Sequence, residues 1–219
     1  MLREAYGHTF LDQLIPSGGT IVDLGGNHGD FARSMRSIYD AKVFIVEPVP
    51  ELFHALPKDE KITNIQAAIS GKNGEIEIFL PEDRCATVSS VVGGKSILAR
   101  EYKYADMITD YKIEKIDLLK VDIECAEIPL IDSLVADDFK KLVQCAVEFH
   151  DFLYPELTPK VEELKKKFVA NGFYCISFSL TTNGDVLFVR RDAISFWKYA
   201  YIKYLARFWR GVIRKIKKL

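Results

Sequence analysis

Short apolar runs rich in β-branched residues recur along most of the chain, separated by polar and glycine-containing segments. Seven of them are long enough to form strands: Thr20–Leu24, Lys42–Val46, Asn64–Ile69, Ile116–Val121, Leu142–Phe149, Tyr174–Ser179 and Val186–Val189. Nearly continuous hydrophobicity, rather than alternation, is typical of strands that are covered on both faces. The runs therefore predict a buried central sheet of seven strands.

Apolar residues at three-to-four-residue spacing fill most of the gaps between these runs, as expected of amphipathic helices. The predicted helices are Asp30–Tyr39, Pro50–Leu56, Ala126–Val135 and Pro159–Asn171, the last of them preceded by Thr158 as an N-cap. Strands that alternate with helices are joined by right-handed crossovers. The order of elements therefore predicts an α/β fold with a mainly parallel sheet.

The last two strands depart from this alternation. Phe173–Leu180 and Asp185–Arg191 are separated only by a short polar turn that contains Asn183-Gly184. A turn of that composition between two apolar runs favours a β-hairpin. We therefore predict a Rossmann-like sheet that ends in an antiparallel hairpin, an ending that a nicotinamide-dependent dehydrogenase would not show.

A glycine-rich turn joins the first predicted strand to the first predicted helix. Gly25, Gly26 and Gly29 lack the Cβ atoms that would keep a ligand away from the backbone N–H groups. The spacing D-x-G-x-x-x-G, which begins at Asp23, differs from the G-x-G-x-x-G of dinucleotide-binding turns. A carboxylate before the turn would repel a diphosphate, whereas it suits a cationic ligand such as S-adenosylmethionine.

Glu47 ends the second predicted strand. Ligands of open α/β sheets lie beyond the carboxyl ends of the strands, so Glu47 should face the same crevice as the glycine turn, where its carboxylate can accept both hydroxyl protons of a ribose. The turn and Glu47 together predict a site for S-adenosylmethionine.

Acidic residues and a histidine follow the next two strands of the predicted sheet. Asp122 and Glu124 come after the fourth strand, and Glu148 and His150 end the fifth, so each pair lies on one side of its strand. His150 is the expected general base, because histidine takes up a hydroxyl proton near neutral pH. Alternatively, Glu124 does not face the crevice but stabilises the N-terminus of the following helix through the helix dipole. Asp122, Glu148 and His150 are also ligand types for a divalent cation, but such groups often converge without one and no metal is predicted.

Size and composition set bounds on the class of protein. The chain has 219 residues, of which 48% are hydrophobic and 28% charged, as expected of one globular domain with a full core. Cys85, Cys125, Cys145 and Cys175 show no metal-finger spacing and are expected to be free thiols in a reducing compartment. The sequence shows no secretory signal or membrane span, which predicts a cytoplasmic protein.

Charge is distributed unevenly between the body of the chain and its end. Residues 192–219 contain eight Lys or Arg and one Asp, so residues 1–191 carry a net charge of −8. An acidic body argues against nucleic acid as the main partner. We divide the chain accordingly into a catalytic domain, residues 1–191, and a basic C-terminal segment, residues 192–219.

The C-terminal segment has the pattern of an amphipathic helix over residues 193–219. Its apolar stripe would consist of Ile194, Trp197, Tyr201, Leu205, Phe208, Val212, Ile216 and Leu219. A basic amphipathic helix with two tryptophans suits peripheral contact with an anionic membrane surface. Docking of the stripe on the domain or on a second copy of the chain is the alternative.

The segment Leu80–Asp110 has no regular apolar pattern. It is predicted to be a lid on the acceptor side.

Five motifs carry a resemblance to a known family: V-D-L-G-G-N-H-G (22–29), V-E-P-V-P (46–50), A-A-I-S (67–70), I-D-L-L-K-V-D-I-E-C-A-E (116–127) and V-E-F-H (147–150). Over roughly residues 18–191 the chain resembles the FkbM family of S-adenosylmethionine-dependent methyltransferases. The resemblance implies a class I methyltransferase fold and methylation of hydroxyl groups on sugars, lipids or polyketide-type products.

The resemblance also implies roles for individual residues. Those implied to hold the donor are Asp23, Gly25, Asn27 and Glu47, with Ala68 near the adenine, and those implied to face the reaction centre are Asp122, Glu124, Glu148 and His150. The chain departs from the family pattern at Cys125, where glycine is expected.

Three hypotheses of function follow from these observations. The first is O-methylation of a saccharide or glycolipid at the cytoplasmic membrane face, with S-adenosylmethionine as cofactor. The second, motivated by Cys125, is a domain that binds S-adenosylmethionine without turnover and acts as a membrane-associated interaction module. The third, a nicotinamide-dependent oxidoreductase, is disfavoured by the glycine spacing and the terminal hairpin.

Overall fold

The computed structural model describes residues 1–80, 95–124, 126–179 and 182–206. Within these residues, three sheets of two, seven and three strands are present. In chain order the strands are β1 (Leu2–Ala5), β2 (His8–Leu11), β3 (Thr20–Leu24), β4 (Lys42–Val46), β5 (Ile62–Ile65), β6 (Ala68–Ser70), β7 (Gly74–Leu80), β8 (Lys95–Lys103), β9 (Leu118–Val121), β10 (Gln144–Val147), β11 (Phe173–Ser177) and β12 (Val186–Arg190).

The seven-stranded sheet has the order β11-β12-β10-β9-β3-β4-β5. The pairs from β10 to β5 are parallel, whereas β12 runs antiparallel to both β10 and β11. The prediction of a mainly parallel sheet that ends in an antiparallel hairpin is confirmed. Because β3 lies between β9 and β4, the carboxyl ends of these three strands meet at one edge.

The helices in chain order are α1 (Asp30–Tyr39), α2 (Pro50–Ala55), α3 (Tyr104–Asp110), α4 (Glu127–Ser133), α5 (Ala136–Lys141), α6 (Thr158–Ala170) and α7 (Phe196–Ala200). The bounds of α1 are as predicted. Thr158 is the first residue of α6 rather than its N-cap, and its hydroxyl donates to the carboxylate of Asp151 at 2.9 Å. The helices α3 and α5 were not predicted.

Alternate residues of the central strands pack into two separate cores. Val22 and Leu24 of β3 join the core that contains α3 to α6, whereas Ile21 joins the core that contains α1. Both faces of the sheet are therefore covered, which explains why its strands read as continuous apolar runs.

Three predictions about the elements are wrong. The run Asn64–Ile69 is not one strand. The chain leaves the seven-stranded sheet after Ile65 and enters the three-stranded sheet at Ala68. The segment Leu80–Asp110 is not irregular throughout, since it contains β8 and α3. Residues 81–94, on which the predicted lid depends, lie outside the described residues.

The third error concerns the N-terminus, where no strand was predicted. The strands β1 and β2 form an antiparallel hairpin, and Tyr6 and Gly7 both have positive φ in its turn. The hairpin is fixed to the main sheet by buried hydrogen bonds: Thr9 donates from its backbone N–H and its hydroxyl to Asp185, and Leu11 exchanges two bonds with the side-chain amide of Gln144.

The C-terminal segment packs on the edge strand β11 as far as the structure describes it. Its helix starts at Phe196 instead of the predicted residue 193, and after Ala200 the chain continues as a π-helical turn over Tyr201–Ala206. Residues 207–219 of the predicted amphipathic helix lie outside the described residues. No helix in the described ranges is long and apolar enough to cross a membrane.

Candidate functional site

The glycine turn follows β3 directly and closes tightly on the neighbouring strand β9. Gly25 has a φ of +83°, and a Cβ at this position would come within 1.7 Å of the backbone oxygen of Asp122. The backbone N–H groups of Gly25 and Gly26 both donate to the carbonyl of Val46 at 3.0 Å. These contacts hold the ends of β3, β4 and β9 together, and only glycine fits at residue 25.

Asp23 lies beneath the turn and does not face the cleft. It is completely buried, and its carboxylate is 2.9 Å from the ammonium of Lys120, which also donates to the carbonyl of Gly25 at 2.8 Å. Burial opposes the charge of Lys120, but the carboxylates of Asp23 and Asp122 outweigh this effect and raise its pKa. Burial raises the pKa of Asp23, and the charge of Lys120 opposes this effect. Asp23 therefore offers no free charge to a cationic ligand in the cleft, contrary to the prediction, and its pairing with Lys120 positions the turn.

Glu47 lies at the end of β4 with its carboxylate fixed by backbone groups. One oxygen accepts from the N–H of Asn27 at 2.7 Å, and the other accepts from the N–H of Val49 at 2.9 Å. Burial raises the pKa of Glu47, and the two N–H donors partly offset this effect. Each oxygen keeps a lone pair for a further donor, which is what a ribose diol requires.

A cleft of about 740 Å³, including its open mouth, lies at the carboxyl ends of β3, β4 and β9. Of the predicted cofactor residues, Gly25, Asn27, Glu47 and Ala68 line it. The other lining residues are Leu24, Val46, Pro48, Leu52, Ala67, Ile69, Ile78, Asp122, Ile123, Glu124 and Ala126. Gly26 and Gly29 shape the turn behind the cleft, where a Cβ on either would meet neighbouring side chains.

The predicted acceptor-side residues converge around Asp122. One of its carboxylate oxygens is 3.3 Å from Nε2 of His8 and 3.7 Å from the ammonium of Lys120, and the other is 3.9 Å from Nε2 of His150. Burial would raise the pKa of Asp122, but the hydrogen bond from His8 and the charge of Lys120 lower it to about 2. Asp122 is therefore an anion at neutral pH, and it lies in the wall that the cleft shares with this cluster.

Both ring nitrogens of His150 face carboxylates. Nδ1 is 3.0 Å from the buried carboxylate of Glu127, and Nε2 is 3.2 Å from that of Glu124. Burial alone would lower the pKa of His150, but Glu127, Glu124 and Asp122 raise it to about 9. In this arrangement the imidazole is protonated at neutral pH.

Glu148 lies on the other side of Asp122, near the N-terminal hairpin. Burial and the charge of Asp122 raise its pKa. Within the described residues, two groups have potential metal-ligand atoms within 4.8 Å of one another: His8, Asp122 and Glu148 form one, and Asp122, Glu124 and His150 form the other. The four predicted acceptor-side residues are thus brought together. Cys125 lies outside the described residues.

Sequence reasoning missed two residues of this site, Lys120 and His8. The ammonium of Lys120 donates to the carbonyl of Gly25 in the glycine turn. The rest of its side chain is apolar and is accommodated within the buried strand β9. His8 is completely buried and comes from the N-terminal hairpin, 114 residues away from Asp122 in the chain. The Tyr6-Gly7 turn was the available signal, since glycine between two short runs favours a hairpin.

Solved structures with a similar backbone fold include several methyltransferases. The Methanococcus jannaschii fibrillarin pre-rRNA processing protein is 16% identical, with 86% of this chain and 69% of that chain covered and a TM-score of 0.48. A TehB-like S-adenosylmethionine-dependent methyltransferase of Corynebacterium glutamicum is 12% identical, with 82% and 84% covered and a TM-score of 0.45. M. capricolum TrmK, solved with S-adenosylhomocysteine, is 10% identical, with 96% and 88% covered and a TM-score of 0.46.

The comparison with family models shows the family of the chain. No curated protein gives a significant match. The methyltransferase FkbM domain model matches residues 23–175, which is more than half of the chain. The matched residues include the end of β3, the glycine turn, Glu47, Asp122 and His150. The chain therefore belongs to the FkbM family of methyltransferases, and S-adenosylmethionine is its cofactor.

Proposed function

We propose that the protein transfers the methyl group of S-adenosylmethionine to a hydroxyl group of a saccharide or glycolipid. The observation that supports this proposal best is the shared wall of the cleft. Asp122 and Glu124 line the donor cleft, and the same two residues contact His150, which belongs to the acceptor side. A donor in the cleft and an acceptor beside His150 would therefore be neighbours, as direct transfer requires.

The cleft has the groups that this donor needs. Glu47 offers carboxylate oxygens to the ribose hydroxyls, and Ala68, Ile69 and Ile78 offer apolar surface to the adenine. The bound cofactor supplies a methyl group carried on a positively charged sulfur. Asp122, whose pKa is about 2, and Glu124 would attract that charge at the wall where the two sites meet.

We assign His150 as the group that takes the acceptor proton. The acceptor hydroxyl loses this proton as its oxygen bonds to the methyl carbon and the bond from sulfur to that carbon breaks. Only neutral imidazole can accept a proton, and the pKa of about 9 keeps most of His150 protonated at neutral pH. The neutral fraction grows with pH, so the rate of transfer should grow with it. Glu148, whose pKa is raised and whose carboxyl group lies close to that of Asp122, would hold the acceptor there.

The acceptor class is inferred from charge and chemistry. Four carboxylates converge on this cluster, so a polyanion such as RNA would be repelled, whereas a polyhydroxyl compound can donate to them. A glycolipid acceptor would place the protein in the cytoplasm with peripheral contact at the inner membrane face.

A second candidate is a domain that binds S-adenosylmethionine without turnover, as a membrane-associated interaction module. Cys125 at the family's glycine position favours it. Turnover distinguishes the two candidates, because both require donor binding.

The test is transfer of labelled methyl from S-adenosylmethionine to pooled saccharides, to a glycolipid extract and, in a separate arm, to RNA. We expect label in a saccharide or glycolipid, with a mass gain of one methyl. The label should resist mild base, because methyl ethers are stable where methyl esters release methanol. Label in RNA, or label released by base, would contradict the proposed acceptor. Donor binding without transfer to any acceptor would favour the module.

A further inference from the structure

Five large side chains between Phe196 and Leu205 project into solvent where the C-terminal segment crosses the edge strand β11. Their exposed fractions are 59% for Phe196, 80% for Trp197, 60% for Tyr201, 69% for Tyr204 and 54% for Leu205. We call this surface the aromatic face. We propose that the aromatic face docks on an anionic lipid bilayer, with its rings at the depth of the headgroups.

The aromatic face is held outward by the packing of the same segment on the body. The ring of Tyr199 stacks on Tyr174 of β11 with centroids 4.0 Å apart, and the ammonium of Lys203 lies 2.8 Å from the Tyr199 hydroxyl. Ile202 is buried in the core on the α1 side of the sheet. Because this side is already packed, the exposed rings cannot turn into the core without breaking these contacts.

This packing changes the interpretation of the predicted apolar stripe. Ile194 of that stripe is buried, but Trp197, Tyr201 and Leu205 are exposed. Beyond Ile194, the described residues of the stripe therefore do not pack on the chain's own domain. Within residues 1–80, 95–124, 126–179 and 182–206, nothing covers these side chains, and a continuous exposed apolar surface of this kind is typical of a docking site.

Charge identifies the occupant. Residues 193–219 contain no acidic residue, and they contain eight basic ones, of which six belong to residues 207–219. Each basic residue near an anionic bilayer strengthens binding to it, and the polar edges of Trp and Tyr suit these side chains to the headgroup region. A second copy of the chain would bring an equal positive charge against this one, since symmetric contacts pair a surface with itself. An anionic lipid surface satisfies both the apolar and the charged groups.

The first experiment is flotation of the full chain with two kinds of vesicle. One kind contains phosphatidylcholine and phosphatidylglycerol, and the other contains phosphatidylcholine alone. We expect the protein to float with the anionic vesicles and to be released by high salt, because screening shortens the range of the attraction. Equal recovery with both kinds of vesicle, or none with either, would overturn the proposal.

A pair of variants tests whether the aromatic face itself makes the contact. Trp197→Ser combined with Tyr204→Ser should lower partition into anionic vesicles by about a hundredfold or more, since burial of each aromatic side chain is worth about tenfold or more. Leu98→Ser is the matched control, because Leu98 is 67% exposed on β8, far from the face in the sequence. It should partition as the unchanged protein does. An equal loss in both variants would refute the assignment to this face.

The fluorescence of Trp197 gives an independent readout. The chain has two tryptophans, so Trp209→Phe leaves Trp197 as the reporter. Its emission should move to shorter wavelength with anionic vesicles, as an 80% exposed ring enters the headgroup region. No shift would contradict the proposal. The proposal would also be contradicted if light scattering without lipid detected a dimer and the serine variants dissociated that dimer. Unchanged binding of S-adenosylmethionine by the serine variants separates this surface from the methyl-transfer site.

Discussion

At the scale of residues, the buried pair of Asp23 and Lys120 holds the donor site in shape. The ammonium of Lys120 contacts Asp23, the carbonyl of Gly25 and, at 3.7 Å, Asp122, so that one charge connects β3, the glycine turn and β9. A buried charge that loses its partner is costly, whereas removal of both partners is often tolerated.

Lys120→Met should lower the free energy of unfolding by about 3–5 kcal/mol, because it leaves the carboxyl group of Asp23, whose pKa burial already raises, without a partner in the core. Urea unfolding at neutral pH measures this change. The double variant Asp23→Leu with Lys120→Met is the control and should recover part of the loss. A double variant that is less stable than the single one would refute the pairing argument.

Gly25→Ala should abolish measurable binding of S-adenosylmethionine, because the new Cβ collides with the backbone of β9 next to the cleft. Gly18→Ala is a matched control: its φ of +75° is similarly unfavourable, but no atom lies within 4 Å of the added carbon. The control should lose about 1–2 kcal/mol of stability and keep its affinity. Calorimetry and urea unfolding report the two quantities, and equal affinities for the two variants would contradict the close approach at Gly25.

The pH dependence of His150 is a third prediction at this scale. Its pKa is raised from an ordinary 6.5 to about 9, so its contribution to stability is complete below pH 6.5 and is lost as pH rises through 9. The contribution is about 3 kcal/mol, from the size of the shift. Ring NMR signals should titrate near pH 9, and the rate of transfer should rise about tenfold per pH unit below this value.

Two variants separate the structural role of His150 from its proposed role as base. Glu127→Gln should lower the midpoint of the His150 titration, because it removes the closest charge at Nδ1. His150→Gln should remove the alkaline dependence of both stability and rate. A midpoint near 6.5 in the unchanged protein would disprove the ion network.

At the scale of elements, the N-terminal hairpin completes the acceptor side although it precedes the residues that match the family model. Gln144 in β10 fixes it, donating to the carbonyl of Leu11 at 3.1 Å and accepting from its N–H at 2.8 Å. The hairpin in turn brings His8 to Asp122.

Gln144→Met should therefore cost about 1–3 kcal/mol for each backbone group of Leu11 that it leaves buried and unpaired. Urea unfolding measures the cost, and hydrogen exchange at the Leu11 N–H should accelerate. Gln66→Met replaces the same residue type at an exposed position and should be neutral. Equal stability of the two variants would show that the hairpin is not fixed in this way.

The elements that could be predicted are those whose pattern is decided locally. β3, β4 and α1 have their predicted bounds, because each is an uninterrupted run with polar or glycine-containing ends. The break between β5 and β6 is not marked by glycine or proline, so the apolar run 64–69 gave no sign of it. β7 was missed even though Glu75-Ile76-Glu77-Ile78 alternates as a half-exposed strand does.

At the scale of the whole molecule, the site is a product of topology. Parallel strands place Glu47, Asp122 and Glu148 at one edge of the sheet, so their proximity could be predicted from strand order alone. The neutralisation of Asp23 and the arrival of His8 could not be predicted, because both depend on side-chain directions and contacts between distant segments. The predicted division at residue 191 stays a prediction, and Ile194 and Ile202 pack in the core of the body.

Calorimetric titration of the full chain with S-adenosylmethionine, and separately with NAD, tests the central claim that the cleft beside Glu47 binds the methyl donor. We predict one molecule of S-adenosylmethionine per chain and no heat with NAD. Glu47→Gln should bind the donor about tenfold or more weakly, since hydrogen bonds to a charged acceptor are among the stronger ones. Tight binding of NAD with no heat from S-adenosylmethionine would contradict the account.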